Sequence, residues 1–127
     1  MSVIVLIEDN PHNARLVRKL LSRHHEVIVA EEGEAGLDAV FENQPDLVLV
    51  DLGLPDVDGQ SIIGTIRQSV ELQDTRVVAF TAYPEAVAHE IARAYGCDAV
   101  ITKPIDTREF PSTIDALLNT SKATSRD

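Results

Sequence analysis

Four mostly apolar runs in the sequence each end on a polar residue that can handle a phosphate group. The runs cover residues 3–7, 47–50, 77–80 and 99–102. The polar residues that follow them are, in order, Glu8 with Asp9, then Asp51, Thr81 and Lys103. Carboxylates hold a hard cation such as Mg²⁺, while a hydroxyl group and an ammonium ion donate hydrogen bonds to phosphate oxygens. The set therefore indicates a Mg²⁺-dependent phosphoryl transfer to a carboxylate.

Among these residues, Asp51 is the predicted nucleophile, because a carboxylate can attack phosphorus and form an aspartyl phosphate. Carboxylates packed at one site repel one another, at a cost of roughly 4 kcal/mol for each pair about 4 Å apart in an effective dielectric near ~20. Either their pKa values rise or a cation lies among Glu8, Asp9 and Asp51. Mg²⁺ is the cation whose ligand preference these oxygens match.

These polar residues share one site if the runs before them are neighbouring strands. Each run is short and rich in Val, Ile and Leu, which is typical of parallel strands buried on both faces. A fifth strand is predicted over residues 26–30. Apolar residues at helical spacing predict helices between the strands, over residues 11–24, 33–43, 59–72, 84–95 and around 110–118. This alternation predicts an α/β fold: a doubly wound, five-stranded parallel sheet with helices on both faces, whose ligand site lies beyond the carboxyl ends of the strands.

Residues at the ends of the predicted helices indicate how each helix begins and stops. Asn10 is suited to cap the first helix, and Pro11 is suited to its first position. Asp58 is the predicted N-cap of the third helix, and Asp56 is predicted to be a turn or cap residue rather than a metal ligand. Gly96 is the predicted stop of the fourth helix, because glycine readily adopts the left-handed conformation found at helix ends.

The fifth predicted helix begins irregularly. Asp106 and Glu109 resemble a capping box, but Pro111 removes a backbone N–H within the first turn. We therefore expect a distorted first turn or a start near Glu109. His24 and His25 are predicted to end the first helix, where a cation suits the helix dipole.

Composition and charge argue against several classes of function. The 127 residues include 21 acidic and 11 Lys or Arg side chains, for a formal net charge of −10. This balance argues against direct contact with nucleic acids or anionic membranes, which bind basic surfaces. The single cysteine, Cys97, cannot form an internal disulfide and fits the reducing cytoplasm. We expect a cytoplasmic protein with one domain over residues 1–119 and a short polar tail over 120–127.

At these residues the chain resembles the receiver domain of two-component response regulators. The matching segments lie in the family's order along nearly the whole chain: Glu8-Asp9-Asn10, Asp51 followed by Pro55 and Asp58-Gly59, Thr81-Ala82, and Lys103-Pro104. The resemblance implies a flavodoxin-like (βα)₅ fold. It also implies a signalling phosphoacceptor rather than an enzyme. Asp51 would take a phosphoryl group from a phosphohistidine of a histidine kinase or a histidine phosphotransfer protein.

The resemblance also implies how a metal ion would be held. Mg²⁺ would be bound by Asp9, Asp51 and the backbone carbonyl of Gly53. Glu8 would act on the ion largely through water.

The same resemblance implies how phosphorylation would be signalled to a partner. Thr81 would hydrogen-bond a phosphoryl oxygen and move in the modified state, while Lys103 would pair with the phosphate. The fourth helix, fifth strand and fifth helix would form the output face. Many family members carry Tyr or Phe three residues before this lysine, whereas this chain has Val100. We therefore expect an output change that is smaller than one driven by an aromatic swing, or placed differently.

Two residues beside the site bear on how long the phosphorylated form would last. Gly53 offers no side chain to position a water molecule, and Tyr83 can shield the phosphate, so we expect a long-lived phosphorylated form. The sequence ends soon after the fifth helix. We therefore expect a stand-alone receiver that binds a partner or relays the phosphate.

Three other functions remain open on the residues alone. An aspartate-nucleophile phosphatase usually has a second Asp shortly after the nucleophile, where this chain has Gly53. A flavodoxin-type cofactor binder needs a loop rich in Ser, Thr and Gly after the first strand, where Glu8 and Asp9 would repel a cofactor phosphate. A receiver-like scaffold that acts without phosphorylation would not need the complete set of acids, Thr81 and Lys103.

Overall fold

The computed structural model describes residues 1–119, and the predicted polar tail over residues 120–127 lies outside them. Strands and helices alternate along this part of the chain. The strands are β1 (Ser2–Ile7), β2 (His25–Ala30), β3 (Leu47–Asp51), β4 (Arg76–Thr81) and β5 (Ala99–Thr102). The helices are α1 (Pro11–Leu21), α2 (Gly33–Asn43), α3 (Gly59–Gln68), α4 (Glu85–Tyr95) and α5 (Phe110–Asn119), with a short 3₁₀ helix at Val70–Leu72.

The five strands form one parallel sheet in the order β2-β1-β3-β4-β5. This confirms the predicted doubly wound fold. The strand order reverses between β1 and β3, and Ile7 of β1 aligns with Val50 of β3. The residues that follow these two, Glu8 and Asp51, therefore lie side by side at the point where ligands bind in such sheets.

Apolar side chains of the strands pack in two clusters, one on each face of the sheet. Val50 and Ile7 point to the face covered by α2 and α3, where Ile62 and Ile66 belong to the same buried cluster. The opposite face carries a second cluster with members from the strands, α1 and α5: Ile4, Leu6, Leu47, Leu49, Val78 and Phe80 from the strands, Val17 and Leu21 from α1, and Phe110 and Ile114 from α5. Because successive side chains of a strand point to opposite faces of the sheet, each apolar run contributes side chains to both clusters. This explains why the central strands are apolar at nearly every position.

Two of the predicted helix ends are confirmed in detail. The Asn10 side chain accepts hydrogen bonds from the backbone N–H groups of His12 and Asn13, at 2.9 and 3.2 Å. Gly96 ends α4 with a φ of 86°, in the left-handed region. Asp58 occupies the N-cap position of α3, but its side chain makes no capping hydrogen bond, so that part of the prediction is wrong.

Asp56 is a capping residue for a different helix from the one it precedes. Its carboxylate accepts hydrogen bonds from the N–H groups of Gly33 and Glu34, at 2.8 and 3.2 Å. Glu32, at the N-cap position of α2, makes no side-chain capping bond. Asp56 therefore accepts hydrogen bonds from the first N–H groups of α2, although it lies outside that helix. This agrees with its predicted role as a cap rather than a metal ligand.

The prediction that His24 and His25 end the first helix is wrong, because that helix ends at Leu21. His25 opens β2 and is paired with Ser2 of β1, so the sheet ladder extends one residue further than the sequence pattern indicates. The His25 ring lies 2.8 Å from a carboxylate oxygen of Asp115 in α5. This contact joins residues 90 positions apart, and nothing local predicts it.

Helix α3 is shorter than predicted. It ends at Gln68, because Ser69 has an extended backbone (φ −91°, ψ 119°), and the chain continues as a 3₁₀ turn. Val70, an apolar residue inside the predicted helix range 59–72, lies in this 3₁₀ turn and is 79% exposed. The expectation for α5 is confirmed: Asp106 accepts N–H hydrogen bonds in the turn before the helix, which starts at Phe110.

Within residues 1–119, none of the helices combines the length and apolar character that a membrane crossing requires.

Candidate functional site

Three carboxylates meet where β1 and β3 end. Ligand oxygens of Glu8, Asp9 and Asp51 all lie within 4.8 Å of one another. Glu8 is fully buried, Asp51 is 6% exposed, and Asp9 is exposed at the mouth of the site. This confirms that the predicted acids converge. Oxygen donors at this spacing and of this charge fit a hard divalent cation such as Mg²⁺.

Lys103 reaches the carboxylates from the end of β5. Its ammonium nitrogen lies 2.7 Å from Glu8 Oε1 and 3.3 Å from Asp51 Oδ2. The Lys103 backbone N–H donates a hydrogen bond to the carbonyl oxygen of Thr81 at 2.7 Å, and the Lys103–Pro104 peptide bond is cis. The predicted cation therefore lies at the site, already paired with two of its acids.

Backbone hydrogen bonds fix the residues around Asp51. The Gly53 N–H donates a hydrogen bond to Asp51 Oδ1 at 2.9 Å, which holds the carboxylate in place. The Gly53 carbonyl remains a predicted metal ligand. Thr81 is 1% exposed at the end of β4, the strand paired with β3, and its hydroxyl oxygen accepts the Tyr83 N–H at 3.0 Å.

The pKa values of Glu8 and Asp51 shift in opposite directions. Burial, followed by a hydrogen bond to Asp51, raises the pKa of Glu8 to about 7, although the Lys103 ammonium opposes this rise. Burial would also raise the pKa of Asp51, but hydrogen bonds from the Glu8 carboxyl and the Gly53 N–H, with the charge of Lys103, lower it overall. Asp51 is therefore the carboxylate that keeps its charge, as a nucleophile must.

Glu8 is held in its buried position by the backbone of the neighbouring elements. Its own N–H donates to the Ala30 carbonyl of β2 at 2.9 Å, and the Asn10 N–H donates to Glu8 Oε2 at 3.1 Å. Asn10, predicted as a helix cap, thus serves two purposes. It begins α1 and orients an acid of the site.

The sequence pattern did not indicate a role at the site for Phe80, the residue before Thr81. Its ring is buried, and Lys103 Nζ lies 4.8 Å from the ring centroid. A Phe inside an apolar strand signals core packing, and no sequence signal shows which cation lies over its face. Val100, at the position where many receivers have an aromatic residue, packs partly buried against the core cluster that includes α3.

Comparison with known proteins agrees with this geometry. Residues 4–115 match the family model of the response regulator receiver domain. The polar-differentiation response regulator DivK of Brucella ovis is 35% identical over 116 residues, which make up 91% of this chain and 94% of that protein.

Solved structures show the same fold. The receiver domain of the sensor histidine kinase PA1611 from Pseudomonas aeruginosa, with a magnesium ion coordinated in its active site cleft, has a TM-score of 0.84 at 24% identity, covering 94% of this chain and 98% of that one. The Mn²⁺-bound form of the response regulator Rcp1 has a TM-score of 0.76 at 26% identity, covering 96% and 98%. With the family match and the DivK relative, these findings show that the chain belongs to the response regulator receiver domains, the phosphoacceptors of two-component signalling.

Proposed function

We propose that Asp51 is the residue that accepts the phosphoryl group, from a phosphohistidine of a histidine kinase or a histidine phosphotransfer protein. The observation that carries this proposal is the convergence of Glu8, Asp9 and Lys103 on the Asp51 carboxylate. The lowered pKa of Asp51 keeps it ionised and able to attack. The single free thiol, Cys97, supports action in a reducing, cytoplasmic compartment.

The proposed transfer is a displacement at phosphorus. A carboxylate oxygen of Asp51 forms a bond to phosphorus while the bond from phosphorus to the donor's imidazole nitrogen breaks. The electron pair of that bond returns to the imidazole nitrogen, and the ring, which carries a proton on its other nitrogen, leaves as neutral imidazole. The product on this chain is an acyl phosphate, so Asp51 loses its own negative charge and gains a phosphoryl group in its place.

The acids of the site supply the ligands for a metal ion. We assign Mg²⁺ to Asp9, Asp51 and the Gly53 carbonyl, with Glu8 acting through water, because the carboxylate oxygens lie close enough together to share one ion. When bound, Mg²⁺ would neutralise charge on the phosphoryl oxygens. Support comes from the Mn²⁺-bound response regulator Rcp1, which is 26% identical to this chain.

Lys103 and Thr81 act on the transferred group. Lys103 already contacts Asp51, so its ammonium ion needs to move little to pair with a phosphoryl oxygen. The Thr81 hydroxyl accepts the Tyr83 N–H and keeps its own proton free to donate to phosphate. Because the Thr81 carbonyl accepts the Lys103 N–H, a movement of either residue is transmitted to the other.

The output face is assigned to α4, β5 and α5. Val87 and Tyr95 of α4 are 43% and 45% exposed, which leaves apolar surface for a protein partner. Residues of β5 and α5, including Val100 and Phe110, line a groove of about 250 Å³. Thr81 ends β4 and Lys103 directly follows β5, so a change at the phosphoryl group reaches this face through few residues.

Intact mass measured after incubation with Mg²⁺ and acetyl phosphate tests the proposal. We expect one added phosphoryl group on the wild-type protein and none on Asp51→Asn or in EDTA. Asp58→Asn is the matched control, since this nearby acid makes no capping bond and should be phosphorylated normally. Stoichiometric labelling of Asp51→Asn would show that the nucleophile is misassigned. No labelling by acetyl phosphate or by a phosphohistidine protein would favour a receiver-like scaffold.

A further inference from the structure

The Lys103 ammonium ion faces an aromatic ring as well as two carboxylates. Its nitrogen lies 4.8 Å from the centroid of the Phe80 ring, 2.7 Å from Glu8 Oε1 and 3.3 Å from Asp51 Oδ2. The Lys103 side chain is 16% exposed. An ammonium ion within about 6 Å of a ring centroid is attracted by the negative face of the ring, and more strongly where water is excluded.

The Phe80 ring is held firmly where it meets Lys103. Phe80 is 1% exposed, and its backbone is paired with Asp51 in the sheet. The Phe80 carbonyl accepts the Leu52 N–H at 3.4 Å. The sheet therefore fixes Phe80 relative to the nucleophile, while the ring of Phe110, the first residue of α5, is a tilted neighbour with a centroid distance of 6.4 Å.

The carboxylates around Lys103 change during the reaction, whereas the ring does not. On phosphorylation, Asp51 would exchange its carboxylate charge for a phosphoryl group, and a bound metal ion would compete with Lys103 for Glu8. A lysine side chain is a point charge on a flexible four-carbon stem, so it needs a constant contact to stay in place through these changes. The face of a buried Phe ring supplies such a contact.

We propose that Phe80 is a positioning residue for Lys103: its ring face holds the ammonium ion at Glu8 and Asp51, where it meets the phosphoryl group. This inference rests on the proposed role of Lys103. Phe80 acts through Lys103 and does not touch the reacting atoms itself.

Lysine-selective isotope labelling tests the contact directly, because the sequence has only three lysines, Lys19, Lys103 and Lys122. The Phe80 ring should shift the ε-methylene protons of Lys103 upfield, and Lys103→Arg identifies that signal by its loss. The shift should vanish in Phe80→Leu and persist in Phe110→Leu. An unshifted Lys103 signal in the wild-type protein would overturn the proposal, whether or not the protein is phosphorylated.

Initial rates of phosphorylation at saturating Mg²⁺ test the consequence. Phe80→Leu should be slower by roughly tenfold, the size of effect expected for a desolvated cation–π contact. Phe110→Leu removes a ring from the same cluster without contacting Lys103, and should stay within about twofold of wild type. Equal slowing in both variants would assign the effect to packing and overturn the proposal.

A second variant covers the case in which Phe80→Leu does not fold. Pentafluorophenylalanine in place of Phe80 keeps the size of the ring but reverses the charge of its face, so it weakens the contact without leaving a cavity. It should slow phosphorylation as Phe80→Leu does, and an unchanged rate would overturn the proposal. A wild-type protein that takes no phosphate yet shows the shifted Lys103 signal would overturn the proposed function and leave the contact standing.

Discussion

The Lys103 ammonium nitrogen lies 2.7 Å from Oε1 of Glu8, a carboxylate with no exposed surface. Lys103 directly follows β5 and Glu8 directly follows β1, and two strands, β3 and β4, lie between these in the sheet. Their pairing joins the cation of the site to its most buried acid. Several measurable properties of the protein depend on this pair and on its neighbour Asp51.

Replacing Lys103 with Met should destabilise the protein more at high pH than at low pH. Without the ammonium ion, the buried Glu8 carboxylate has lost its partner, at a cost of about 2 kcal/mol at pH 8. The pKa of Glu8 is already about 7, so below that pH Glu8 takes up a proton and the cost shrinks. Urea unfolding of Lys103→Met at pH 8 and pH 5.5 measures the difference. Lys19→Met, on the exposed side of α1, is the control, and equal losses for Lys103→Met at both pH values would contradict the prediction.

Mg²⁺ affinity should rise with pH up to about 7 and then level off. Metal binding favours ionised Glu8, whose pKa is raised by burial to about 7, so binding below that pH must release a proton. Isothermal titration between pH 5.5 and pH 8 would show affinity increasing by up to about tenfold per pH unit on the acidic side. Glu8→Gln should bind Mg²⁺ more weakly and with a flatter pH profile. An affinity that is constant across this range in the wild-type protein would rule out a role for Glu8 ionisation.

In the absence of metal, Glu8 should make the protein more stable at acidic than at neutral pH. Its pKa is raised from 4.5 to about 7 in the folded state, so the folded protein binds this proton more tightly than the unfolded chain. The stabilisation is fully present below about pH 4.5 and is lost as pH rises through about 7. The lowered pKa of Asp51 acts in the opposite sense at lower pH still. Melting temperatures of wild type and Glu8→Gln, measured in EDTA from pH 5 to pH 8, should diverge in slope across this window.

Asp56→Ala should destabilise α2 although residue 56 lies outside that helix. The variant loses the hydrogen bonds from the Gly33 and Glu34 N–H groups, and we expect Tm to fall by a few degrees, roughly the effect of losing a helix cap. The pKa of Asp56 is lowered, chiefly by the Gly33 N–H, so this contribution disappears as pH falls below the usual range for Asp. Asp58→Ala, which removes no capping bond, should change Tm less. A larger effect in Asp58→Ala than in Asp56→Ala would contradict this assignment.

The phosphorylated form should be long-lived, and Tyr83 should contribute to its lifetime. Tyr83 is 40% exposed and its N–H is bound to the Thr81 hydroxyl, so its ring can cover the entrance to the site. Gly53 offers no side chain to position an attacking water molecule. Decay of the intact-mass signal after removal of the phosphodonor should take minutes or longer, and Tyr83→Ala should shorten it severalfold, with Tyr95→Ala as the control. A wild-type lifetime of seconds or less would refute the shielding.

Phosphorylation should alter the surface formed by α4, β5 and α5 more than the surface formed by α1 and α2. Thr81 ends β4 and Lys103 directly follows β5, next to that surface, while Val100 provides no aromatic ring to swing. Backbone amide NMR shifts, compared before and after phosphorylation, would locate the change. We expect the largest distant shifts in α4 and β5. If they fall mainly in α2, the output face is misassigned.

Local pattern was enough to predict the sheet and the place of the site. Buried parallel strands need apolar side chains on both faces, and the polar residue after each run then lies at the carboxyl end of its strand. This is why the convergence of Glu8, Asp9, Asp51 and Lys103 followed from their positions in the sequence. The predicted helix was too long at Val70 because the extended backbone of Ser69 ends α3. The helical spacing of apolar residues continues past that point, so the pattern alone does not show the end.

The sequence by itself therefore determined the fold class, the strand ends and the chemical types of the site residues. Only the tertiary structure decided which partners meet: Asp56 with α2, His25 with Asp115, and Lys103 with both Glu8 and the Phe80 ring. Periodicity records which face of an element is apolar, and that information is local. Contacts between residues far apart in the chain depend on strand order, register and side-chain direction, which are set when the whole sheet and its helices pack together.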